Sequence, residues 1–363
     1  MKGNQVSQKL KRIFTSLKGA QTILLLNTNY RDPNFLYVTG FKSGIFEMTF
    51  TIINRGKVEV LANELEYATG KSQETRNLKV LKISSSKQQR ARLQSAIAKK
   101  SIALNEPFIP YTYWAAIKKR YKPTSILDAS QAFEEARLIK DDYEIGCISR
   151  AVSITKRAQE QIRKHCRIGM SEKELADIFD DISSKLGSHG PSFETIVCFG
   201  KNAAYPHHFP SDARLKRGDF VLIDAGAKFN NYCSDITRTF IFEGDSHNAK
   251  SKEKMDMYNT VKEAQQLAIG AIKPGVKGKD IHKIAADHID GAFGGRYKGK
   301  FIHSLGHSVG IEVHDGAGFS PGAEQEIKPG MVITVEPGIY IEGFGGVRIE
   351  DDILVTRKGH KVL

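Results

Sequence analysis

Four acidic residues and one histidine interrupt segments that otherwise have the composition of a protein core. A carboxylate among buried β-branched residues is costly unless it is paired or binds a metal ion. One such residue could be an acid satisfied within the core, but a metal site is the simplest common explanation for all of them. The residues are Asp224, Asp235, His307, Glu336 and Glu350.

Four carboxylates and one imidazole form a donor set that suits hard or borderline divalent cations. Mn²⁺, Co²⁺ and Fe²⁺ fit it, Zn²⁺ fits it less well, and metals that prefer thiolates fit it least. Two such ions about 3.5–4 Å apart can share a water molecule and convert it to hydroxide near neutral pH. The residues therefore predict hydrolysis at a pair of divalent ions.

The spacing of the acidic residues predicts two β-hairpins that bring them together. The two aspartates are eleven residues apart, with a turn at Lys228–Asn231, where two asparagines favour turn geometry. The two glutamates flank a second turn at Gly343–Gly346. We expect the hairpins to present four carboxylates to one cavity, with the histidine arriving from between them.

Six short segments resemble the pita-bread metallopeptidases, the group that includes methionine aminopeptidase, aminopeptidase P and prolidase. The resemblance covers about residues 140–363, and all five metal-ligand positions of the family hold the expected residue in the expected order. The matching segments are Asn202–His207, Asp224–Gly226, Ser234–Thr239, Gly306–Gly310, Val335–Gly338 and Arg348–Asp351.

The N-terminal part resembles the branch formed by Xaa-Pro dipeptidase (prolidase) and aminopeptidase P. Asp32–Asn34 and Tyr37–Phe41 are similar to the additional N-terminal domain of that branch, which methionine aminopeptidase lacks. The resemblance implies an α+β protein with two domains. Residues 136–363 would form a C-terminal pita-bread (creatinase/aminopeptidase-like) catalytic domain, and residues 1–135 a smaller mixed α/β domain of the creatinase/prolidase type.

The resemblance also implies a role for each metal ligand. Asp224 would bind one ion, His307 and Glu336 would bind the other, and Asp235 and Glu350 would bridge them. The expected cofactor is two divalent metal ions, Mn²⁺ first, with Co²⁺, Fe²⁺ or Zn²⁺ as alternatives. The bridging hydroxide would attack the scissile carbonyl, with Glu336 as the proton shuttle.

Four further residues are implied to act beside the metal ions. His207 and His314 would contact the substrate and the tetrahedral intermediate. His303 would line the pocket, and Arg348 would pair with a ligand carboxylate and hold its geometry. The alternative for His207 is an exposed loop histidine, and the adjacent His208 could be mistaken for it. The alternative for His314 is a histidine that only ends a strand, and for Arg348 it is an arginine on the surface.

Hydrophobic periodicity predicts the elements that position these residues. The N-terminal part has predicted strands at Ile23–Asn27, Thr49–Asn54, Val58–Ala62 and Lys79–Ile83, and predicted helices at Gln88–Lys100 and Tyr113–Tyr121. The C-terminal part has predicted helices at Asp141–Cys166, Ser171–Leu186, Lys252–Ile272 and Lys279–Phe293. Its predicted strands, in a largely antiparallel sheet, are Phe193–Phe199, Phe220–Ala225, Tyr232–Phe242, Met331–Ile341 and Val347–Val355.

The composition is that of an ordinary globular chain with an uneven charge. Hydrophobic residues make up 40% and charged residues 26%, which excludes collagen-like, mucin-like and largely disordered proteins. The net charge is +13, and residues 1–140 carry 24 basic and 10 acidic side chains. Such an excess can attract nucleic acid, an anionic surface or an acidic face of another subunit.

The partners expected are proline-containing peptides and a second copy of the chain. No RNA-binding aromatic motif, helix-turn-helix signature or zinc finger accompanies the basic excess, so nucleic acid is not expected. We expect a homodimer in which the basic N-terminal domain helps to close the active site of the partner. The sequence has no apolar run near the ~18 residues that span a bilayer, and no secretory signal, which predicts a cytoplasmic protein without a membrane partner.

Four cysteines without paired spacing predict small buried apolar side chains rather than disulfides or zinc ligands. They are Cys147, Cys166, Cys198 and Cys233.

The length of the substrate stays open. Asp315, directly after His314, is more similar to aminopeptidase P than to prolidase, and residues 315–328 contain no arginine that could hold the carboxylate of a dipeptide. The chain length is closer to that of compact prolidases. The predicted function is hydrolysis of the Xaa-Pro bond at the N-terminus of di- or oligopeptides. The alternatives are a catalytically silent relative that binds peptide or nucleic acid and a creatinase-type hydrolase, and the intact ligand set argues against both.

Overall fold

A mixed six-stranded sheet organises the N-terminal part of the chain. Its strands are β1 Thr22–Asn27, β2 Thr49–Asn54, β3 Lys57–Ala62, β4 Leu78–Lys82, β5 Ser101–Leu104 and β6 Ser125–Asp128. They lie in the order β4-β3-β2-β1-β5-β6. Strands β1, β2 and β3 are antiparallel, whereas β4, β5 and β6 join their neighbours in parallel.

Within residues 3–138, which the structure describes, six helices accompany this sheet, and the sequence predicted two of them. They are α1 Gly3–Ser16, α2 Pro33–Thr39, α3 Glu64–Lys71, α4 Ser86–Ile97, α5 Tyr111–Tyr121 and α6 Ser130–Leu138. Helices α4 and α5 match predictions. Helix α2 was missed because it is only seven residues long, and it depends on its ends: the Asp32 side chain accepts a hydrogen bond from the Asn34 N–H, and Gly40 ends the helix with a φ of 62°.

The computed structural model describes residues 3–244 and 249–363. In it the chain divides into two units, Met1–Arg137 and Leu138–Leu363. The sequence predicted two domains, with the boundary between residues 135 and 136. That division into two domains stays a prediction.

The described part of the C-terminal unit contains four α-helices, and all four were predicted. They are α7 Asp142–Ile162, α8 Glu172–Lys185, α9 Ala249–Ala271 and α10 Gly278–Gly291. The predicted start of α8 is confirmed, because Ser171 and Glu174 form a complete capping box. The α-helical part of α7 ends earlier than the predicted Cys166, and a single 3-10 turn at Arg163–His165 continues it.

Ten short strands lie in residues 138–244 and 249–363, and every pairing among them is antiparallel, as predicted. Strands β7 to β11 are Ile196–Phe199, Phe220–Ala225, Lys228–Phe229, Tyr232–Cys233 and Ile236–Ile241. Strands β12 to β16 are Val332–Val335, Gly338–Ile341, Gly345–Arg348, Asp351–Val355 and His360–Val362. The predicted strand Phe193–Phe199 is shorter in the structure, where only its last four residues are β7.

Three strands predicted as continuous are broken in the structure. The predicted strand Tyr232–Phe242 is β10 and β11, Met331–Ile341 is β12 and β13, and Val347–Val355 is β14 and β15. Pro337 explains one break, because proline has no N–H to donate to a strand ladder. An acidic residue predicted to bind metal lies at each of the three breaks, so the interruptions belong to the site.

Strand β8 lies between two apolar clusters. Phe220 and Leu222 pack in the cluster that contains α9 and α10, whereas Val221 and Ile223 pack in the cluster that contains α8. Because side chains alternate along a strand, Asp224 points to the same face as Leu222. The core thereby carries this carboxylate to one defined side of the sheet.

The four cysteines are free, and three of them are buried, with Cys166 partly exposed. No helix among the described residues is long and apolar enough to cross a membrane.

Candidate metal centre and active site

All of the site residues predicted from the sequence line one cavity of about 620 Å³. It lies in the C-terminal unit, and its wall also contains apolar side chains such as Phe193, Ile196, Pro206 and Phe209. The predicted residues in the wall are His207, Asp224, Asp235, His303, His307, His314, Glu336, Arg348 and Glu350.

The predicted hairpin around the two aspartates is confirmed. Asn230 and Asn231 form the turn between β9 and β10, with φ values of 49° and 71°. Asparagine tolerates this left-handed conformation better than most residues, so the sequence fits the turn. Beyond it β8 pairs with β11, and Asp224 lies opposite Thr237. Asp235 occupies the position just before β11 begins.

The predicted hairpin around the two glutamates is also confirmed. The inner ladder pairs Gly338 of β13 with Arg348 of β14, and the outer ladder pairs Val335 of β12 with Asp351 of β15. The two glutamates, one on each chain segment, fall in the interval between these ladders. Carboxylates there are close in space without taking part in regular strand pairing.

The histidine ligand candidate arrives on a loop that lies against β12. The His307 N–H donates a hydrogen bond of 3.0 Å to Thr334 Oγ1. A Cβ at Gly306 would lie 1.9 Å from the Thr334 carbonyl oxygen, so only glycine permits this approach. His307 Nε2 then lies 3.5 Å from Asp235 Oδ2 and 3.4 Å from Glu336 Oε1.

Three buried carboxylates at the site each have one oxygen without a hydrogen-bond partner: Asp224 Oδ1, Asp235 Oδ1 and Glu350 Oε1. Buried polar atoms of this kind are costly in the absence of a compensating charge. Asp235, His307 and Glu350 also offer ligand atoms that all lie within 4.8 Å of one another. The residues present therefore fit a divalent metal ion.

Burial shifts the acid–base equilibria of these groups. Burial, followed by the charges of neighbouring carboxylates, raises the pKa of Asp235 and of Glu350 well above the usual range. Burial likewise raises the pKa of Glu336 to about 8. Burial and the neighbouring His314 lower the pKa of His307 to about 4, so its imidazole is neutral and has a lone pair for a cation.

Arg348 joins the carboxylates into one network. Its Nη2 lies 2.5 Å from Asp224 Oδ2, its Nη1 donates to the Tyr340 hydroxyl at 2.9 Å, and its Nε donates to Thr237 Oγ1 at 3.0 Å. The Thr237 hydroxyl in turn donates to Glu350 Oε2 at 2.7 Å. One guanidinium therefore orients two of the acidic side chains, and the surface alternative for this arginine is wrong because it is buried.

His303 is tied at both ring nitrogens. Its Nδ1 donates to the Ser304 carbonyl at 2.8 Å, and its Nε2 lies 2.8 Å from the Tyr340 hydroxyl. Burial, then the charge of Arg348, lowers the pKa of His303 to about 4, so the neutral ring accepts the tyrosine proton at Nε2. The histidine lines the cavity, and its ring continues the arginine–tyrosine network.

The neighbouring histidines His207 and His208 have different surroundings. His208 Nε2 contacts Glu172 Oε2 at 2.8 Å. Both rings line the cavity. Burial is the largest cause of the lowered pKa of His303 and of His314, and the interaction with the exposed His207 lowers each pKa further. His208 is thus held by a carboxylate, whereas His207 interacts with the other cavity histidines.

Sequence reasoning missed the uncharged partners of the site. Tyr340, Thr237 and Thr334 are fully or almost fully buried and hold Arg348, Glu350 and His307 respectively. Tyrosine and threonine are ordinary residues in strands. The one sequence feature that could have pointed to a role in the site was the two-residue spacing of Thr237 from Asp235. Hydrogen bonds across strands, rather than local sequence, give these residues their importance.

Two family comparisons cover most of the chain. The family described as "Metallopeptidase family M24" matches residues 146–357. The family described as "Creatinase/Prolidase N-terminal domain" matches residues 8–139. The chain belongs to metallopeptidase family M24. The predicted family, the two-domain pita-bread fold and the prediction of an enzyme are therefore confirmed, and the family implies divalent metal ions as cofactors.

Individual relatives in the family match along almost the whole chain. A Pyrococcus horikoshii protein named Xaa-Pro dipeptidase is 34% identical over 360 residues, which is 99% of this chain and 97% of the relative. A solved structure of a Xaa-Pro dipeptidase from Bacillus anthracis has a TM-score of 0.87 at 29% identity, covering 98% of this chain and 97% of that one. A solved structure of an X-Pro aminopeptidase from Thermotoga maritima has a TM-score of 0.86 at 29% identity, covering 98% and 96%.

Proposed function

We propose that this M24 metallopeptidase is a dinuclear exopeptidase that hydrolyses the Xaa-Pro bond at the N-terminus of proline-containing peptides. The observation that carries the proposal is the set of buried carboxylate oxygens without partners beside a neutral His307 in one cavity. The names of the relatives support the specificity. The apolar part of the wall, with Phe193, Ile196 and Phe209, suits a proline ring.

We assign each acidic side chain a role at the metal ions, supported by the ligand atoms that Asp235, His307 and Glu350 offer within 4.8 Å of one another. Asp224 would hold one ion, His307 and Glu336 the other, and Asp235 and Glu350 would bridge both, with Mn²⁺ as the first candidate and Co²⁺, Fe²⁺ or Zn²⁺ as alternatives. When bound, two such ions supply Lewis acidity and an activated water for attack on the scissile carbonyl.

The remaining roles follow from exposure to the cavity. The Glu336 side chain is 16% exposed, against 8% for Asp235 and 11% for Asp224, so it is the best placed of the three to pass a proton to substrate. His314 stacks edge-on against His307, with ring centroids 4.0 Å apart. We assign His207 and His314 to the substrate and its tetrahedral intermediate, since both face the cavity beside the ligand set.

Cations in the cavity bear on the length of the substrate. Among the described residues that line it, Arg348 is the one lysine or arginine, and its three nitrogens are engaged by Asp224, Tyr340 and Thr237. Lys328, a lysine at the end of the arginine-free segment 315–328, is a further candidate to bind the carboxylate, but it is exposed and does not line the cavity. A free carboxylate on the proline would need a cation that this wall does not offer. We therefore infer that peptides longer than Xaa-Pro are accepted.

We also retain the homodimer as a proposal, supported by the basic excess of residues 1–140. Complementary charge would favour association and weaken as salt screens it. Light scattering at micromolar concentration should give twice the chain mass at low salt. A monomer under that condition would remove the proposal.

Metal add-back tests the proposed function. The protein is stripped with a chelator and supplied with Mn²⁺, Co²⁺ or Zn²⁺, and release of the first residue is followed on Xaa-Pro, Xaa-Pro-Yaa and Xaa-Ala-Yaa peptides. We expect metal-dependent turnover of the proline peptides only. Metal binding without any turnover would favour the silent peptide-binding relative, and equal cleavage of the alanine peptide would contradict the specificity.

A further inference from the structure

Glu172, outside the proposed ligand set, collects an unusual number of hydrogen bonds. It is the first residue of α8, and it is fully buried. Its Oε1 accepts from the Phe199 N–H at 2.7 Å and from Asn202 Nδ2 at 2.9 Å. Its Oε2 accepts from His208 Nε2 at 2.8 Å and from the N–H and hydroxyl of Ser211 at 2.9 Å and 2.6 Å.

These donors all belong to one segment of the cavity wall. Residues 199–211 begin at the end of β7, pass through a 3-10 turn at Gly200–Ala204, and have no helix or strand from Tyr205 to Ser211. The segment contributes Pro206, His207 and Phe209 to the cavity. A segment without regular backbone pairing needs other contacts to hold a fixed position. The Glu172 carboxylate accepts hydrogen bonds from the start, the middle and the end of this segment.

The anchor is ionised. Burial alone would raise the pKa of Glu172, but the hydrogen bonds from Ser211, His208, Phe199 and Asn202 lower it below its usual value. A buried carboxylate is stable in this form because all of its donors are in place. The acceptor also fixes a proton on His208 Nε2, which holds the ring beside the exposed His207.

We propose that Glu172 is a positioning residue that sets the place of His207 in the active site by anchoring residues 199–211. The part of the proposal that concerns catalysis rests on the proposed function, in which His207 contacts the substrate. Glu172 contacts none of the proposed metal ligands, so its effect on rate would pass through the segment rather than through the metal ions.

The test is a double-mutant cycle of Glu172→Gln with His207→Ala, with kcat/KM expressed per metal-loaded molecule. Glutamine keeps one accepting oxygen, but its NH2 group cannot accept hydrogen bonds, so the donors on one side of the side chain lose their acceptor. We expect metal content to be unchanged and kcat/KM to fall about tenfold to 100-fold, the effect of a displaced contact residue. In the His207→Ala background the same substitution should cost less than about threefold, because the group that it positions is already absent.

Glu174→Gln is the matched control. It makes the same chemical change two residues further along α8, on a half-exposed side chain, and glutamine can still complete the capping box. We expect its kcat/KM to stay within about twofold of wild type. If Glu172→Gln does not fold, Ser211→Ala replaces it, since this change removes one donor and leaves the carboxylate in place. We expect a smaller loss of kcat/KM from Ser211→Ala, and again less loss when His207 has already been replaced by alanine.

A substrate-free measurement separates this proposal from the proposed function. The amides of Phe199 and Ser211 should exchange with deuterium faster in Glu172→Gln than in wild type, and the His207 ring signals should shift, with neither change in Glu174→Gln. These results would support the anchor even if Xaa-Pro turnover were absent. Unchanged exchange, or an equal loss of kcat/KM with and without His207, would overturn the proposal.

Discussion

The sheets of the two units treat buried acidic residues in opposite ways. In the N-terminal sheet, all six residues of β1 are buried in an unbroken ladder, and the buried Glu59 on β3 is paired with Lys57 at 2.6 Å and with Arg92. In the C-terminal unit, Asp235 and Glu350 lie where strands break and keep oxygens without partners. The first arrangement pairs an acid within the fold, and the second leaves carboxylate oxygens that a bound cation would contact.

Among the changes that test this contrast, Asp235→Asn should have the largest effect on turnover. An amide cannot supply a charged bridge between two cations, so we expect turnover to fall by at least about 10³-fold, with the protein still folded. A peptide hydrolysis assay measures the turnover, and circular dichroism checks that the variant is folded. Wild-type turnover in this variant would remove the dinuclear mechanism.

Glu59→Gln is the matched change in the other sheet. It should leave turnover within about twofold of wild type, and it should cost about 1 kcal/mol or less of unfolding free energy, because Lys57 and Arg92 are partly exposed.

His314→Ala should have the next largest effect. The ring faces the cavity, and His314 is not one of the proposed metal ligands. We therefore expect kcat to fall by about 10²-fold to 10³-fold with the metal content retained. Metal analysis on the purified variant checks this division of labour. A residue that contacts only the substrate should not change the metal content. A metal content below about half of wild type would therefore place His314 among the metal ligands instead.

The stability of the metal-free protein should depend on pH through Glu336. Its pKa is raised to about 8 from an ordinary value of 4.5. Between these values the folded protein binds a proton that the unfolded chain has lost, so folded stability falls as pH rises. Glu336→Gln removes this titration. In urea unfolding, metal-free wild type should lose stability relative to the variant from about pH 5 to about pH 8; a constant difference would contradict the shift.

Substrate length should give the smallest effect. Because the cavity wall offers no spare cation, we expect kcat/KM for Xaa-Pro-Yaa to be at least comparable to that for Xaa-Pro. Loss of one charge-assisted pair of about 2–3 kcal/mol corresponds to a ratio of roughly 30-fold to 150-fold. A preference of that size for the dipeptide would show that a cation from elsewhere, such as a second subunit, holds its carboxylate.

Much of the fold was readable because its signals are local. The capping box of Ser171 and Glu174, the asparagine turn at Asn230–Asn231 and the apolar run of β8 are each contained in a few consecutive residues. Short helices such as α2 and α3, and the breaks within predicted strands, were missed. Their ends depend on individual caps, or on pairing with strands that are distant in sequence.

The sequence by itself determined the candidate ligands, because a carboxylate within an apolar strand is costly wherever the chain folds. It determined the family through six short segments that resemble known metallopeptidases. Only the tertiary structure decided how those carboxylates are held. Arg348 reaches Asp224 from 124 residues away, and Glu172 gathers donors up to 39 residues away. Such contacts leave no periodic or local mark in the sequence, because a hydrogen bond depends on distance and direction in space rather than on separation along the chain.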